Sequence, residues 1–387
     1  MSPRFNRDRF TWLVYFLMAF FGYFMNILGP ITPFLKSELK LTYTVSSLHF
    51  SAFALGILVV GLGGHLVIVR LGRWHSLWVG AIGMSLSALL LIFGKTPQET
   101  IGASFLMGLV GSLILAIVPA ALSEKHGQQR AIAISESNVI SSLVAMAAPL
   151  LVGWLARLAG DWRLALGIVA TAPIFLYFGL GRGLSLVDAS FEHDSQPAGQ
   201  TLSALFWFYW VAIVLAVSVE FCMISWSGDF LENVLKMQKI DAAQSVSLFF
   251  AAMIVGRYAG SRLVQKIASS KLVEISIFIA SLGFLLFWKA GSIYLGLAGL
   301  FLTGLGVASL YPLLLSLAMG AAGKNTVQAS ARTTLASGAA VLTLPLILGR
   351  LADSVGIELA YGVIVFLLVA VFVIVQVSTK KFPVTSC

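Results

Sequence analysis

The chain has 387 residues, of which 59% are hydrophobic and 11% are charged, whereas an average soluble domain carries roughly 25% charged residues. So much apolar surface cannot be buried in one water-soluble core, so the composition excludes an ordinary soluble protein and indicates the lipid bilayer as solvent. The net charge of +9 does not indicate nucleic-acid binding, because the basic residues lie in short segments between apolar runs without interleaved aromatics.

The residues of catalysis and metal binding are scarce. The two cysteines are Cys222, within an apolar run, and Cys387, the last residue, so a disulfide framework is not expected. No His/Cys cluster has the spacing of a metal site, and no phosphate-binding loop is present. We therefore expect no metal, no cofactor and no enzymatic activity.

Apolar runs follow one another along the whole chain. A membrane-spanning helix needs about 20 apolar residues, and the first run, after Arg7 and Arg9, is longer than the apolar stretch of a signal peptide. Twelve candidate helices lie near 10–35, 43–69, 76–94, 98–122, 130–157, 162–182, 203–230, 241–266, 272–289, 292–321, 326–352 and 357–378. The predicted fold class is an all-α membrane protein of about twelve transmembrane helices.

A polar stretch divides these helices into two sets of six. Residues 183–202 include Asp188, Glu192 and His193 and read as a cytoplasmic linker. We predict an N-terminal six-helix bundle over 1–182 and a C-terminal six-helix bundle over 203–387. The halves also resemble each other. Ser47–Ala52 is similar to Ser247–Ala252, and Gly108 and Pro149 recur 196 residues later as Gly304 and Pro345.

The distribution of basic residues predicts the orientation in the membrane. With a cytoplasmic N-terminus, 14 lysines and arginines fall in cytoplasmic segments and nine in external segments, and the other two, Arg257 and Arg332, lie within predicted helices. An even number of helices places both termini on the same side. We therefore expect a multi-pass protein of the inner or plasma membrane with both termini in the cytoplasm.

Several short patterns carry a family resemblance. The loop after the second helix reads Arg70-Leu71-Gly72-Arg73, with Val69 at a position where the family signature is acidic. Further patterns are Gly256-Arg257, Trp162-Arg163 and Tyr311-Pro312. Together with twelve helices and repeated halves, they resemble the major facilitator superfamily. The resemblance implies two pseudo-symmetric six-helix bundles that rock about a central cavity, lined by the first, fourth, seventh and tenth helices, as in a secondary active transporter.

Four ionisable residues lie at membrane depth, namely Glu136, Glu220, Arg257 and Arg332. Each costs about 2.5–3.5 kcal/mol to insert into the bilayer, so each is expected to have a structural or functional role. We predict that Glu220, just past the middle of the seventh helix, couples transport to protons; the alternative is a structural carboxyl. Glu136 and Arg257 are predicted to form an inter-domain gate, the alternative being a static pair inside one half. Arg332, at the repeat position of Glu136, is a further gate residue or a side chain that reaches the membrane surface.

Five further residues are candidates for substrate binding because they combine rings and amides at membrane depth: Tyr23, Asn26, Asn138, Trp226 and Tyr311. For each aromatic residue, packing against a neighbouring helix is the competing interpretation.

The predicted function is alternating-access transport of a small organic solute by a monomer in the bilayer, with protons as the coupling ion. A partial glycine–proline pattern in the fifth helix slightly favours export. One alternative is a transporter of organic or inorganic anions in which Arg257 and Arg332 bind the substrate. Another is a membrane receptor or channel that does not transport, although repeated halves are typical of transporters.

Overall fold

The computed structural model describes residues 5–185, 202–323 and 325–381, and all regular secondary structure within them is helical. The predicted linker at 183–202 therefore lies mostly outside the described residues. The helices are α1 (Arg9–Leu39), α2 (Tyr43–Leu71), α3 (Arg73–Phe93), α4 (Pro97–His126), α5 (Arg130–Ala159), α6 (Arg163–Ala170), α7 (Ala172–Leu176), α8 (Ala204–Asn233), α9 (Lys239–Leu263), α10 (Ser269–Trp288), α11 (Ile293–Val307), α12 (Leu310–Ala322), α13 (Thr326–Val355), α14 (Ile357–Ala360) and α15 (Val363–Lys381). A 3₁₀ turn covers Gly127–Gln129, and a π-helical turn covers Tyr177–Gly181.

Twelve segments of the described residues are long and apolar enough to cross a membrane, which confirms the predicted fold class. Three of these segments are interrupted, namely Arg163–Gly181, Ile293–Ala322 and Ile357–Ser378. In the second, α11 ends at Val307 and α12 begins at Leu310. Pro312 explains this break, because proline has no N–H for the carbonyl four residues earlier, that of Ala308, and its ring collides with that carbonyl.

Polar side chains mark where several helices begin. Asp8 precedes α1 and accepts a hydrogen bond from the backbone N–H of Thr11 at 3.0 Å. Thr96 and Glu99 form a reciprocal capping box at the start of α4, and Ser203 and Ser292 cap α8 and α11. These oxygens satisfy N–H groups that have no partner inside the helix.

The chain forms two compact units. The first contains Met1–Leu41 and Leu48–Phe191, and the second contains Thr42–Ser47 and Glu192–Cys387. The first turn of α2 belongs to the second unit because Asp353 of α13 accepts hydrogen bonds from the backbone N–H groups of Tyr43 and Thr44, at 2.7 and 2.8 Å. The division at 183–202 stays a prediction.

Glycines allow close contacts between helices within each unit. In the first unit, a Cβ atom on Gly108 of α4 would lie 2.0 Å from the carbonyl oxygen of Phe53 on α2. In the second unit, a Cβ atom on Gly304 of α11 would lie 2.7 Å from the carbonyl oxygen of Phe249 on α9. Both members of the second pair lie 196 residues after those of the first, so the internal repeat extends to an individual backbone contact.

We expect Gly108→Ala to lower the melting temperature of the purified protein, because the added methyl meets a backbone oxygen that cannot rotate away. Overpacking of this kind costs about 1–3 kcal/mol. The matched control is Gly102→Ala on the same helix, where a Cβ atom has nothing within 4 Å, and where alanine favours the helix by about 0.5–1 kcal/mol. Thermal unfolding in one detergent compares the two. An equal or higher melting temperature for Gly108→Ala would contradict the close contact.

Candidate functional site

The second unit holds a carboxylate and a guanidinium side by side at membrane depth. Glu220 lies near the midpoint of α8, and Arg257 lies about two turns before the end of α9. Arg257 Nη2 lies 3.5 Å from Glu220 Oε1, at the long limit of a hydrogen bond. The Glu220 side chain is 16% exposed and that of Arg257 is 43% exposed. The pair therefore joins a largely buried acid to a cation that reaches the surface of the unit.

The residues that follow Glu220 on α8 pack the second unit together. Cys222 through Leu231 are buried without interruption. Within this run, Trp226 is fully buried, and its indole N–H donates to the backbone carbonyl of Pro345 at 3.3 Å. The Tyr361 hydroxyl donates to the Cys222 carbonyl at 3.2 Å. Trp226 therefore packs α8 against α13 in this conformation, and its role in substrate binding stays a prediction.

A second carboxylate on α8 was missed by the sequence analysis. Asp229 is fully buried, and its Oδ2 accepts a hydrogen bond from the Asn233 amide at 3.0 Å. The ring of Tyr43 lies beside Trp226, one turn from Asp229 on α8, with ring centroids 5.5 Å apart. The signal in the sequence is an acid inside the apolar run 203–230, one residue before its end.

In the first unit, Glu136 of α5 is bound by the segment that precedes α1. Arg7 donates from Nε to Glu136 Oε2 at 2.8 Å and from Nη2 to Oε1 at 2.6 Å, a two-pronged ion pair. The Tyr15 hydroxyl donates to Oε2 at 3.2 Å. The hydrogen bonds to Glu136 raise the pKa of Arg7 above its usual value. The structure thus holds Glu136 within the first unit and Arg257 within the second. The predicted gate between them stays a prediction.

The same short segment and the first turn of α1 make further contacts with the end of α4. The Asp8 carboxylate forms an ion pair with Lys125, and the Thr11 hydroxyl lies 3.0 Å from His126 Nε2. The ring of Phe5 lies 4.8 Å from that of His126. Partial burial raises the pKa of Asp8, but hydrogen bonds from Lys125 and Thr11 outweigh it, so the pKa lies below its usual value.

The other candidates of the first unit differ in exposure. Tyr23 is buried on α1, and its hydroxyl donates to the Ala165 carbonyl at 2.9 Å, so the ring joins α1 to α6. Asn26 is half-buried, and its amide donates to the Gly22 carbonyl at 2.8 Å. Asn138 is exposed on α5. Of the three, the two asparagines keep exposed surface, and the assignment of all three to substrate binding stays a prediction.

The remaining candidates lie in the second unit. Tyr311 is half-buried in the first turn of α12. The Arg332 side chain is exposed on α13, and its backbone carbonyl accepts a hydrogen bond from the Trp210 indole at 2.7 Å. Their assignments to substrate binding and to a gate stay predictions. Among the described residues, no group of three or more His, Cys, Asp or Glu side chains could hold a metal ion.

An ion pair between a buried arginine and an exposed glutamate at the start of α3 was not anticipated. The Arg73 side chain is 3% exposed, and its Nη1 lies 2.6 Å from Glu124 Oε2 on α4. Arg73 follows Gly72, whose φ of 77° lies in the left-handed region that glycine adopts without strain. The Arg70–Arg73 pattern indicated this loop, but the spacing along the chain did not reveal that its acidic partner lies on α4.

Comparison with known proteins agrees with this architecture. The sequence profile of the Major Facilitator Superfamily matches residues 12–337, so the chain belongs to this superfamily. It is a multi-pass membrane transporter. A glucose/galactose transporter of Brucella abortus is 25% identical over 367 residues, covering 89% of this chain and 88% of the relative.

Two solved structures show the same fold at low identity. A bacterial homologue of the human lysosomal transporter Spinster, inward-facing and occupied, has a TM-score of 0.81 at 12% identity and covers 98% of both chains. A nucleoside transporter has a TM-score of 0.75 at 13% identity, covering 97% of this chain and 99% of its own.

The Asp8 cap predicts a loss of stability in acid. Folding lowers the pKa of Asp8, so the ionised carboxylate stabilises the folded state. This stabilisation is fully present above the pKa of the unfolded chain, about 3.9, and disappears as the pH falls through the lower pKa of the folded state. We expect hydrogen exchange in the first turn of α1 to accelerate below about pH 4 relative to an internal helix. Asp8→Asn should remove most of this dependence, because its amide does not titrate. An unchanged pH profile in that variant would contradict the assignment.

Proposed function

We propose that this protein is a proton-coupled secondary active transporter of a small neutral polyhydroxylated solute, of the monosaccharide class. The observation that carries the proposal is the pair of Glu220 and Arg257, an acid and a base on adjacent helices of one unit at membrane depth. Ionisable residues inside a membrane protein usually mark substrate or proton pathways.

The pair suits proton coupling because its two members differ in burial. While Glu220 is ionised, Arg257 lies beside it and offsets the cost of a carboxylate in a medium of low dielectric constant. Protonation makes Glu220 neutral and removes the charge that attracts Arg257. The guanidinium is then free to turn toward solvent or solute, so proton binding and a side-chain rearrangement are linked.

The charge of the site supports a neutral solute. A carboxylate and a guanidinium together carry no net charge, and both form strong hydrogen bonds with hydroxyl groups. Tyr311 would add a neutral polar contact, and Trp226 would support the site from within the second unit. The assignment of Tyr23, Asn26 and Asn138 of the first unit to substrate binding stays a prediction. The relative named as a glucose/galactose transporter supports the same solute class.

The anion alternative is less well supported for Arg257, because Glu220 already offsets its charge. The exposed side chain of Arg332 is the remaining candidate for an anion. A receptor or channel is disfavoured, because the relative is named a transporter.

We further propose that the protein acts as a monomer in the cell membrane with both termini in the cytoplasm, as the distribution of lysine and arginine indicates. The direction of transport stays a prediction, with the fifth-helix pattern of Pro149 slightly favouring export.

Glu220→Gln tests the coupling role in proteoliposomes with radiolabelled glucose and galactose. We expect an imposed pH gradient to drive accumulation in the wild type and to have almost no effect in the variant, because glutamine cannot carry the proton. Exchange of labelled for unlabelled solute should continue, since it needs no net proton movement. The matched control is Glu232→Gln near the end of α8, whose carboxylate lies 3.5 Å from Lys239.

Proton-driven accumulation by Glu220→Gln equal to the wild type would overturn the coupling role. Absence of both exchange and thermal stabilisation by any neutral sugar in the wild type would overturn the solute class instead. A ligand at one hundred times its dissociation constant stabilises a protein by about 2.7 kcal/mol, so a binding solute is detectable by its effect on the melting temperature.

A further inference from the structure

A narrow groove runs between α10 and α15 on the surface of the second unit. Its cavity has a volume of about 240 Å³. Ile277 and Leu368 are buried and form its floor, whereas Phe278, Val369 and Phe372 are exposed and form its walls. Both helices are membrane-spanning segments and the exposed walls are apolar, as expected for a surface in contact with lipid.

The groove is polar at one end. Glu274 lines it near the start of α10, and its Oε1 accepts a hydrogen bond from the Gln376 amide near the end of α15 at 2.7 Å. The start of α10 and the end of α15 lie at the same membrane boundary, because the two helices are antiparallel neighbours. From Glu274 the lining becomes apolar and extends inward to Ser281, about 10 Å along the helix at 1.5 Å per residue.

The size of the groove limits what can occupy it. A 10 Å length of helix at least 10 Å wide occupies about 800 Å³, more than three times the volume of the groove. The groove therefore does not enclose a helix from a second copy of the chain, and its length and apolar lining suit a hydrocarbon chain. The groove has a polar end followed by an apolar length, which matches the headgroup and acyl chain of a phospholipid in the adjacent leaflet.

We propose that this groove binds a phospholipid whose headgroup carries a primary ammonium, as in phosphatidylethanolamine. The acyl chain lies on Ile277 and Leu368 between the aromatic walls, and the ammonium donates hydrogen bonds to Glu274. Gln376 holds that carboxylate toward the groove. Lys271 is exposed one turn earlier on α10 and is placed to contact the lipid phosphate. A carboxylate at the edge of the membrane thereby gains a cationic partner.

The test measures lipid binding to the purified full-length protein by native mass spectrometry, with lipids that share the same acyl chains. Phosphatidylethanolamine should bind about fivefold more tightly than phosphatidylcholine, whose trimethylated head has no N–H to donate, as expected for a partly exposed ion pair. Glu274→Gln should reduce this preference to less than twofold. The control Glu232→Gln, an acid on α8 outside the groove, should retain it.

The tail is tested separately. Val369→Trp places a large ring in the groove and should weaken the binding of both lipids, while Glu274 remains in place. Free phosphoethanolamine at the same concentration should not compete, because the acyl chain contributes most of the buried area.

Equal binding of the two lipids to the wild type would overturn the proposal, as would a preference that survives Glu274→Gln or binding unaffected by Val369→Trp. Competition by free phosphoethanolamine would indicate a soluble amine as the ligand, and a dimer that excludes lipid would indicate a protein contact; either result would also overturn it.

Discussion

The hydrocarbon core of a bilayer offers no water to a polar group, and this constraint governs the rest of the molecule. Backbone N–H and C=O groups must be satisfied within the chain, and helices achieve this inside one segment. All the regular structure of the described residues is accordingly helical. At Pro312, which removes a backbone bond, the helix is interrupted and a second helix follows.

The same constraint organises the charged side chains. Glu136 is bound by Arg7, Arg73 by Glu124, and Glu220 lies beside Arg257, each pair within one unit. These pairs differ in where they lie. The Arg7 ion pair lies where the chain enters α1 and anchors the segment before that helix. The Glu220 pair lies at membrane depth, where gaining or losing one charge has the largest energetic effect because the dielectric constant is low. That difference is why we assign proton coupling to Glu220 and not to Glu136.

Lipid tails are as apolar as leucine side chains, so the hydrophobic effect does not drive helices together inside the membrane. Helices pack closely instead where small residues let their backbones approach. Gly108 and Gly304 each allow a neighbouring backbone carbonyl to approach within the space of a methyl group. The recurrence of this contact 196 residues later links a sequence repeat to a repeated piece of geometry. On the surface of α10 and α15, by contrast, larger side chains leave a groove, and Glu274 gives that groove a polar end.

The sequence by itself determined the fold class, the twelve membrane segments and the four most conspicuous ionisable residues, because apolar length and buried charge are visible one residue at a time. It did not reveal the partners that charged residues have within their own units. Glu136 pairs with Arg7, 129 positions away, and Asp229 and the Arg73–Glu124 pair were missed. Tyr23 and Trp226, both candidates for substrate binding, donate to backbone carbonyls inside their units. Only the tertiary structure decided these contacts, because they depend on helix rotation and depth, which the packing of side chains between helices sets and the apolar pattern of a single helix leaves open.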